Sequence, residues 1–270
     1  MIGAIIGDII GSPYEFDHNN IKTTDFPLFR DYSTFTDDTV MTLAVAQAVM
    51  NGYNDPKKTE KELVRCMQEF GKQYPDAGYG AAFSQWLKSD DPQPYNSFGN
   101  GAAMRVSPVA WIYDDLETVE KYAAITAKVT HDHPEGIKGA QATAAAIYLA
   151  RKGYSKFAIR KYIGSKYGYD FSRTCNDIRP TYRHIESCQE TVPEALTAFF
   201  EGNSFEEVIR LAVSLGGDSD TLTAIATSVA EAFYGVPGWM LLEALMYLEN
   251  DLLEVVSKFN HFIMKKISLR

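Results

Sequence analysis

The chain has little of three things that would narrow its class at once. Cysteine occurs three times in 270 residues, at Cys66, Cys175 and Cys188. An odd number without metal spacing offers neither a disulfide framework nor a zinc site, so reduced thiols are expected. No basic run exceeds two residues, the Lys265-Lys266 tail included, and 26 Lys+Arg against 35 Asp+Glu leave a formal charge of -9. A chain without a cationic stripe is poorly equipped to grip a nucleic-acid backbone, although backbone amides or metal ions could still hold a small phosphorylated ligand. No uninterrupted apolar run reaches the roughly 18 residues of a membrane span, and glycines and Asp8 interrupt the apolar N-terminus. No low-complexity tract or Pro/Ser-rich linker divides the chain. The expectation is therefore a soluble, cytoplasmic, monomeric protein with one domain over residues 1–270, and with neither membrane nor nucleic-acid partners.

What is present begins with Ser214-Leu215-Gly216-Gly217-Asp218-Ser219-Asp220-Thr221, set between two amphipathic helical patterns. Phe205, Val208, Ile209, Ala212 and Val213 precede it at helical spacing; Leu222, Ile225, Ala226, Val229 and Phe233 follow. Asp218, Asp220 and Thr221 put three hard oxygen donors in four residues, which suits a divalent cation. The same residues would also serve as a helix cap, where an acid meets the favourable end of the dipole. A chemically similar turn, Thr36-Asp37-Asp38-Thr39, opens an apolar helix from Val40 to Met50. Either turn alone reads equally as a cap. Together they supply four carboxylates and two hydroxyls, enough oxygen for two adjacent magnesium-type ions completed by water and substrate.

The first helical pattern carries Ile2, Ile5, Ile6, Ile9 and Ile10 beside a stripe of Gly3, Gly7 and Gly11. Glycine costs about 1 kcal/mol against alanine inside a helix, so three at four-residue spacing predict a close-packed backbone neighbour. Asp8, within that helix, is read as a structural hydrogen-bonding group. Ser12-Pro13 ends the helix, and Glu15 follows between Tyr14 and Phe16, where apolar rings could raise its pKa for acid or base work. Residues 18–32 are polar and aperiodic, a loop that could border a site. Asn96-Ser97-Phe98-Gly99-Asn100-Gly101, before a helix running from Ala102 to Trp111, reads either as an ordinary turn or as a phosphate-receiving loop. Arg105 in that helix is read as an ion-pairing residue. His131 and His133 lack the partners for zinc, so they are expected to bind substrate or cap the helix that Pro134 starts. Thr191 to Glu194 and Ser204 to Glu207 fit the capping-box pattern and predict two further helix starts. With no convincing strand pair, the fold class is all-α, a compact helical bundle.

In their order along the chain, Gly3-Ala4-Ile5-Ile6-Gly7-Asp8 to Glu15, Thr36-Asp37-Asp38-Thr39, Gly99-Asn100-Gly101-Ala102-Ala103-Met104-Arg105, Thr130-His131 and Gly216-Gly217-Asp218-Ser219-Asp220-Thr221 resemble the ADP-ribosylglycohydrolase family, which includes the dinitrogenase reductase activating glycohydrolase. The resemblance spans nearly the whole chain. It implies an orthogonal helical bundle with a cleft holding two Mg2+ or Mn2+ ions, with Thr36, Asp37 and Asp38 matching one ligand cluster and Asp218, Asp220 and Thr221 the other. It further implies Glu15 as the catalytic glutamate, Ser97, Phe98, Gly99, Asn100 and Gly101 as the loop receiving the diphosphate, and His131 as a residue lining the ADP-ribose site. The implied activity is hydrolysis of the bond between ADP-ribose and an acceptor, with ADP-ribosylated arginine on protein as first choice. Serine-linked, nucleic-acid-linked and small-molecule conjugates stay open. So do a two-metal phosphoesterase, which would release AMP, and a non-catalytic ADP-ribose binder.

Overall fold

The computed structural model describes residues 1–268, and among them there is helix but no strand, in agreement with the all-α expectation. In chain order the helices are α1 (Ile2–Gly11), α2 (Asp37–Asn51), α3 (Pro56–Gln73), α4 (Ala81–Leu87), α5 (Gly101–Met104), α6 (Ser107–Ile112), α7 (Leu116–Lys128) and α8 (Pro134–Arg151). The rest are α9 (Lys156–Tyr167), α10 (Cys175–Ile178), α11 (Cys188–Glu201), α12 (Phe205–Leu215), α13 (Ser219–Tyr234), α14 (Gly238–Leu245) and α15 (Asn250–Ser268). A single 3-10 turn, Ser12–Tyr14, follows α1, and one isolated bridge pairs Gly99 with Ser187.

The core is built around α1 and α13. Nine of the ten residues of α1 are buried, as is every residue of α13 from Ser219 to Ala230. The glycine stripe explains their approach. A Cβ at Gly3 would lie 2.2 Å from the Thr227 carbonyl oxygen, one at Gly7 2.3 Å from Thr227 Oγ1, and one at Gly11 2.5 Å from the Asp220 Cα. These are distances that only glycine leaves open. α2, α8, α11 and α12 close round this pair with apolar faces such as Val40, Leu43, Val192, Leu196, Val208 and Ile209.

The structure departs from the pattern reading in three places. The helix expected from Ala102 to Trp111 is two short ones, because Pro108 would set its ring against the Met104 carbonyl in a continuous helix and has no N–H to give it. The helix expected to start at Thr191 starts a turn earlier, at Cys188, with Pro193 inside it. Thr191 Oγ1 instead accepts from Asn100 Nδ2 and donates to the Ile185 carbonyl, so it is not free to cap. Residues 173–182, for which the sequence reading names no helix, contain α10, capped reciprocally by Thr174 and Asp177. The other predicted starts hold: Ser204 accepts from the Glu207 N–H, and His133 caps α8 by accepting from the Glu135 N–H.

Candidate active site

Both acidic turns are helix starts, and the fold brings them together. Thr36 caps α2, its hydroxyl accepting from the Asp38 N–H at 3.3 Å. Gly216 and Gly217 adopt φ of +75° and +76°, turning the chain so that Asp218 sits at the N-cap position of α13. Thr221 Oγ1 then donates to Asp38 Oδ2 at 2.9 Å, joining the two clusters directly. Asp8 is the bracket behind them. Its buried carboxylate accepts from the N–H and Oγ1 of both Thr36 (2.9 and 2.7 Å) and Thr39 (3.0 and 2.5 Å), fixing α2 against α1. That is the structural role expected of it.

The 3-10 turn after α1 delivers Glu15 to the same place. Glu15, Asp218 and Asp220 each offer a carboxylate oxygen within 4.8 Å of the others, so Glu15 is close enough to share a cation. Its carboxyl is pushed up to about 8, by burial first and then by the charge of Asp220, against an opposing effect of His184. The aromatic sandwich read from the sequence is not the cause. Tyr14 turns into the core against Phe26, while Phe16, held at φ +64°, is exposed and stacks on His184.

Asp37, Asp38 and Asp220 are raised well above the ordinary carboxylate range by burial, followed in each by a neighbouring aspartate, and burial also lifts Asp8 and Asp218 to about 6. None of these carboxylates makes an ion pair with a lysine or arginine among the described residues. Asp38 Oδ1 is buried with no hydrogen-bond partner. Packed carboxylates without a counter-charge, one with an orphaned oxygen, are a donor set that a hard divalent cation would complete.

The cleft above this cluster has a volume of about 250 Å³. Glu15, Asp37, Asp218, Asp220 and Thr221 line it on one side, and Ser97, Gly99, Asn100, Gly101 and His131 on the other. Thr36 and Asp38 lie one layer behind the lining. Phe98 does not line the cleft; its half-exposed ring packs on His133. Asn100 ties the loop to the cluster: its side-chain N–H donates to Asp218 Oδ2 at 2.6 Å. Ser97 Oγ accepts from the Gly99 N–H, closing the turn.

Some lining residues were not singled out in the sequence: Tyr95, Glu186 and the start of α4 at Gly80 to Phe83. Nothing in their local pattern marks them, since they meet the cleft only through packing. Arg105, read as an ion-pairing residue, forms no salt bridge among the described residues; it is buried, donates to Thr130 Oγ1 and also lines the cleft. The loop at residues 18–32 does not line it. Asn20 Nδ2 and Oδ1 clasp the Gly217 carbonyl and N–H, and Lys22 Nζ donates to the Leu215 carbonyl, so this loop buttresses the turn behind Asp218.

The sequence profile of the ADP-ribosylglycohydrolases matches residues 1–265. The chain belongs to the ADP-ribosylglycohydrolase family. It is 26% identical to the ADP-ribosylhydrolase ARH3 of Homo sapiens, over 94% of this chain and 90% of that protein. It is 28% identical to the ADP-ribosylarginine hydrolase Tri1 of Pseudomonas putida, over 88% and 70% respectively. A solved structure described as an ADP-ribosylglycohydrolase-related protein complex superposes with a TM-score of 0.70 at 24% identity, covering 97% of this chain and 96% of that one, and it has the same fold. As an ADP-ribosylglycohydrolase, this chain is an enzyme that hydrolyses glycosidic linkages of ADP-ribose.

Proposed function

We propose that this ADP-ribosylglycohydrolase removes ADP-ribose from arginine side chains of proteins, using two Mg2+ or Mn2+ ions. The observation that carries the metal part is the convergence of Glu15, Asp218 and Asp220 beside the α2 start, with no lysine or arginine ion-paired to them among the described residues. Thr36, Asp37 and Asp38 would hold one ion, and Asp218, Asp220 and Thr221 the other. Bound there, the ions would supply positive charge to anchor ribose hydroxyls and to lower the pKa of a water.

This chain's own residues do the remaining work. The loop from Ser97 to Gly101, with His131 beside it, receives the diphosphate, its shape held by the Gly99 and Asn100 amides, which bond Ser97 Oγ and the Glu186 carbonyl. Asn100, bonded to Asp218, fixes the distance between that loop and the acidic floor, and so between the diphosphate and the ribose to be cut. Glu15 handles the proton exchanged with the attacking water or the leaving group; its raised pKa suits that exchange near neutrality. A developing oxocarbenium ion would be stabilised by the surrounding carboxylates.

The arginine acceptor is favoured by the Pseudomonas putida relative, named for that linkage, and by the cleft mouth. There the exposed Glu186 lies near Glu15, offering a carboxylate to a guanidinium. A panel of defined ADP-ribosyl conjugates, assayed with Mg2+, Mn2+ and EDTA, tests the reading. Free ADP-ribose should be released fastest from the arginine conjugate and not at all in EDTA. Preference for a serine or nucleic-acid linkage would overturn the acceptor assignment. AMP as product would point to phosphoester cleavage instead.

A further inference from the structure

Arg105 is among the largest fully buried side chains, at 1% exposure, in a region where it has no carboxylate partner among the described residues. Its Nη2 donates to Thr130 Oγ1 at 2.6 Å, and its Nε is unpartnered. A guanidinium can only donate, so the Thr130 oxygen is the acceptor in that bond. The one hydroxyl proton of Thr130 is then left for His131 Nδ1 at 2.7 Å or the Ala127 carbonyl at 3.5 Å. The Thr130 oxygen has a second lone pair that an Nδ1–H could use, but its own proton would then have only the Ala127 carbonyl, at the limit of hydrogen-bond distance; donation to the ring at 2.7 Å is the better pairing. A ring nitrogen that accepts carries no hydrogen. The hydrogen of the neutral imidazole therefore sits on Nε2.

The opposite edge of the ring fits this arrangement. Nε2 has no protein hydrogen bond among the described residues, and it faces the glycine loop. A Cβ at Gly99 would come within 3.2 Å of it, and one at Gly101 within 3.3 Å. Tyr95 packs against the imidazole at 5.8 Å between ring centroids, and its own N–H is tied to the Thr130 carbonyl at 3.1 Å. Burial and then the charge of Arg105 hold His131 neutral, well below the usual imidazole range.

We propose that Arg105 and Thr130 are positioning residues that lock His131 as an Nε2–H donor aimed at a phosphate oxygen in the Ser97 to Gly101 loop. The tautomer lock stands on the hydrogen bonds alone; the phosphate as its target rests on the diphosphate reading of that loop. The lock also accounts for Arg105 lacking a carboxylate. An acid beside it would compete for the Thr130 bond and favour imidazolium, a group able to titrate, in place of a fixed donor.

Nitrogen-15 NMR of histidine-labelled full-length protein reads the tautomer directly, with His131→Asn assigning the signals. Wild type should show a protonated Nε2 and a bare Nδ1 for His131 at pH 7. Thr130→Val should give mixed tautomers and weaken ADP-ribose binding by about tenfold in calorimetry, the worth of one good hydrogen bond. Thr130→Ser should restore both, and Thr130→Ala replaces valine if valine prevents folding. A bare Nε2 in wild type, or an unchanged single tautomer in the valine and alanine variants, would overturn the lock. A changed tautomer with unchanged ADP-ribose affinity would leave the lock standing and overturn the phosphate as its target.

Discussion

Asp8 and Glu15 lie seven residues apart and are both carboxyls at the heart of the molecule, yet their surroundings divide the labour. Asp8 is saturated by four donors from Thr36 and Thr39, whereas Glu15 accepts no hydrogen bond from the described residues. Glu15→Gln should therefore not lower the melting temperature, and in metal-free protein near pH 8 should raise it, while cutting turnover by roughly 10² to 10⁴-fold, the range for a lost proton-transfer group. Product release measured beside ADP-ribose calorimetry checks it: turnover within a few-fold of wild type would remove Glu15 from the chemistry. Asp8→Asn should instead lower the melting temperature, since one carboxamide oxygen cannot serve four donors, leaving buried N–H and O–H groups unsatisfied. The sequence marks both residues, but for partly wrong reasons. Asp8 stands out because an acid inside a glycine-striped apolar helix needs partners. Glu15 is flagged by its flanking rings, although burial and Asp220, 205 positions away, are what raise its pKa.

At the scale of the element, the glycine stripe of α1 was legible as a demand for a close neighbour, but which neighbour was not. The answer, α13, follows from a match between small residues on one helix and Thr223 and Thr227 on the other. Gly7→Ala would place a methyl group 2.3 Å from Thr227 Oγ1 and 2.7 Å from the Thr223 carbonyl. Overpacking of this kind costs about 1–3 kcal/mol or more, so the urea midpoint should fall clearly. Gly238→Ala is the control. It opens α14, has nothing within 4 Å of its Cβ and no positive φ, so the same change should be neutral or stabilising by up to about 1 kcal/mol. Equal losses in both variants would mean that close packing is not what the stripe provides. Helix starts were well marked at Ser204 and at the Thr36 turn, where a side chain truly caps. They were misread at Thr191, whose hydroxyl is spent on Asn100 and Ile185, contacts that no local pattern displays.

The molecule as a whole gathers its site from stretches around residues 15, 37, 100, 131 and 218. Residue types at each stretch could be read in advance; which oxygens meet could not, because that depends on how helices far apart in sequence cross. The gathered acids also set a balance for the entire fold. Asp8 and Asp218 are raised to about 6 and Glu15 to about 8 on folding, so the native chain binds protons more tightly than the unfolded one. Stability from these groups is complete below the ordinary carboxyl pKa of about 4 and is lost as pH rises through 6 and then 8. In EDTA, the melting temperature should fall between pH 5 and pH 8. Saturating Mg2+ at pH 8 should recover it, by about 2.7 kcal/mol at a hundredfold excess over Kd. Scanning calorimetry at the two pH values checks the sign, and a metal-free protein more stable at pH 8 would contradict it.

The pairing of α1 with α13 also has a consequence in time. During synthesis α1 is complete at Gly11, but α13 ends only at Tyr234. At about 5–20 residues per second the interval is on the order of 10–45 s. Throughout it, the glycine face of α1 has no partner helix, so the emerging polypeptide should be bound by a general chaperone until α13 has been made.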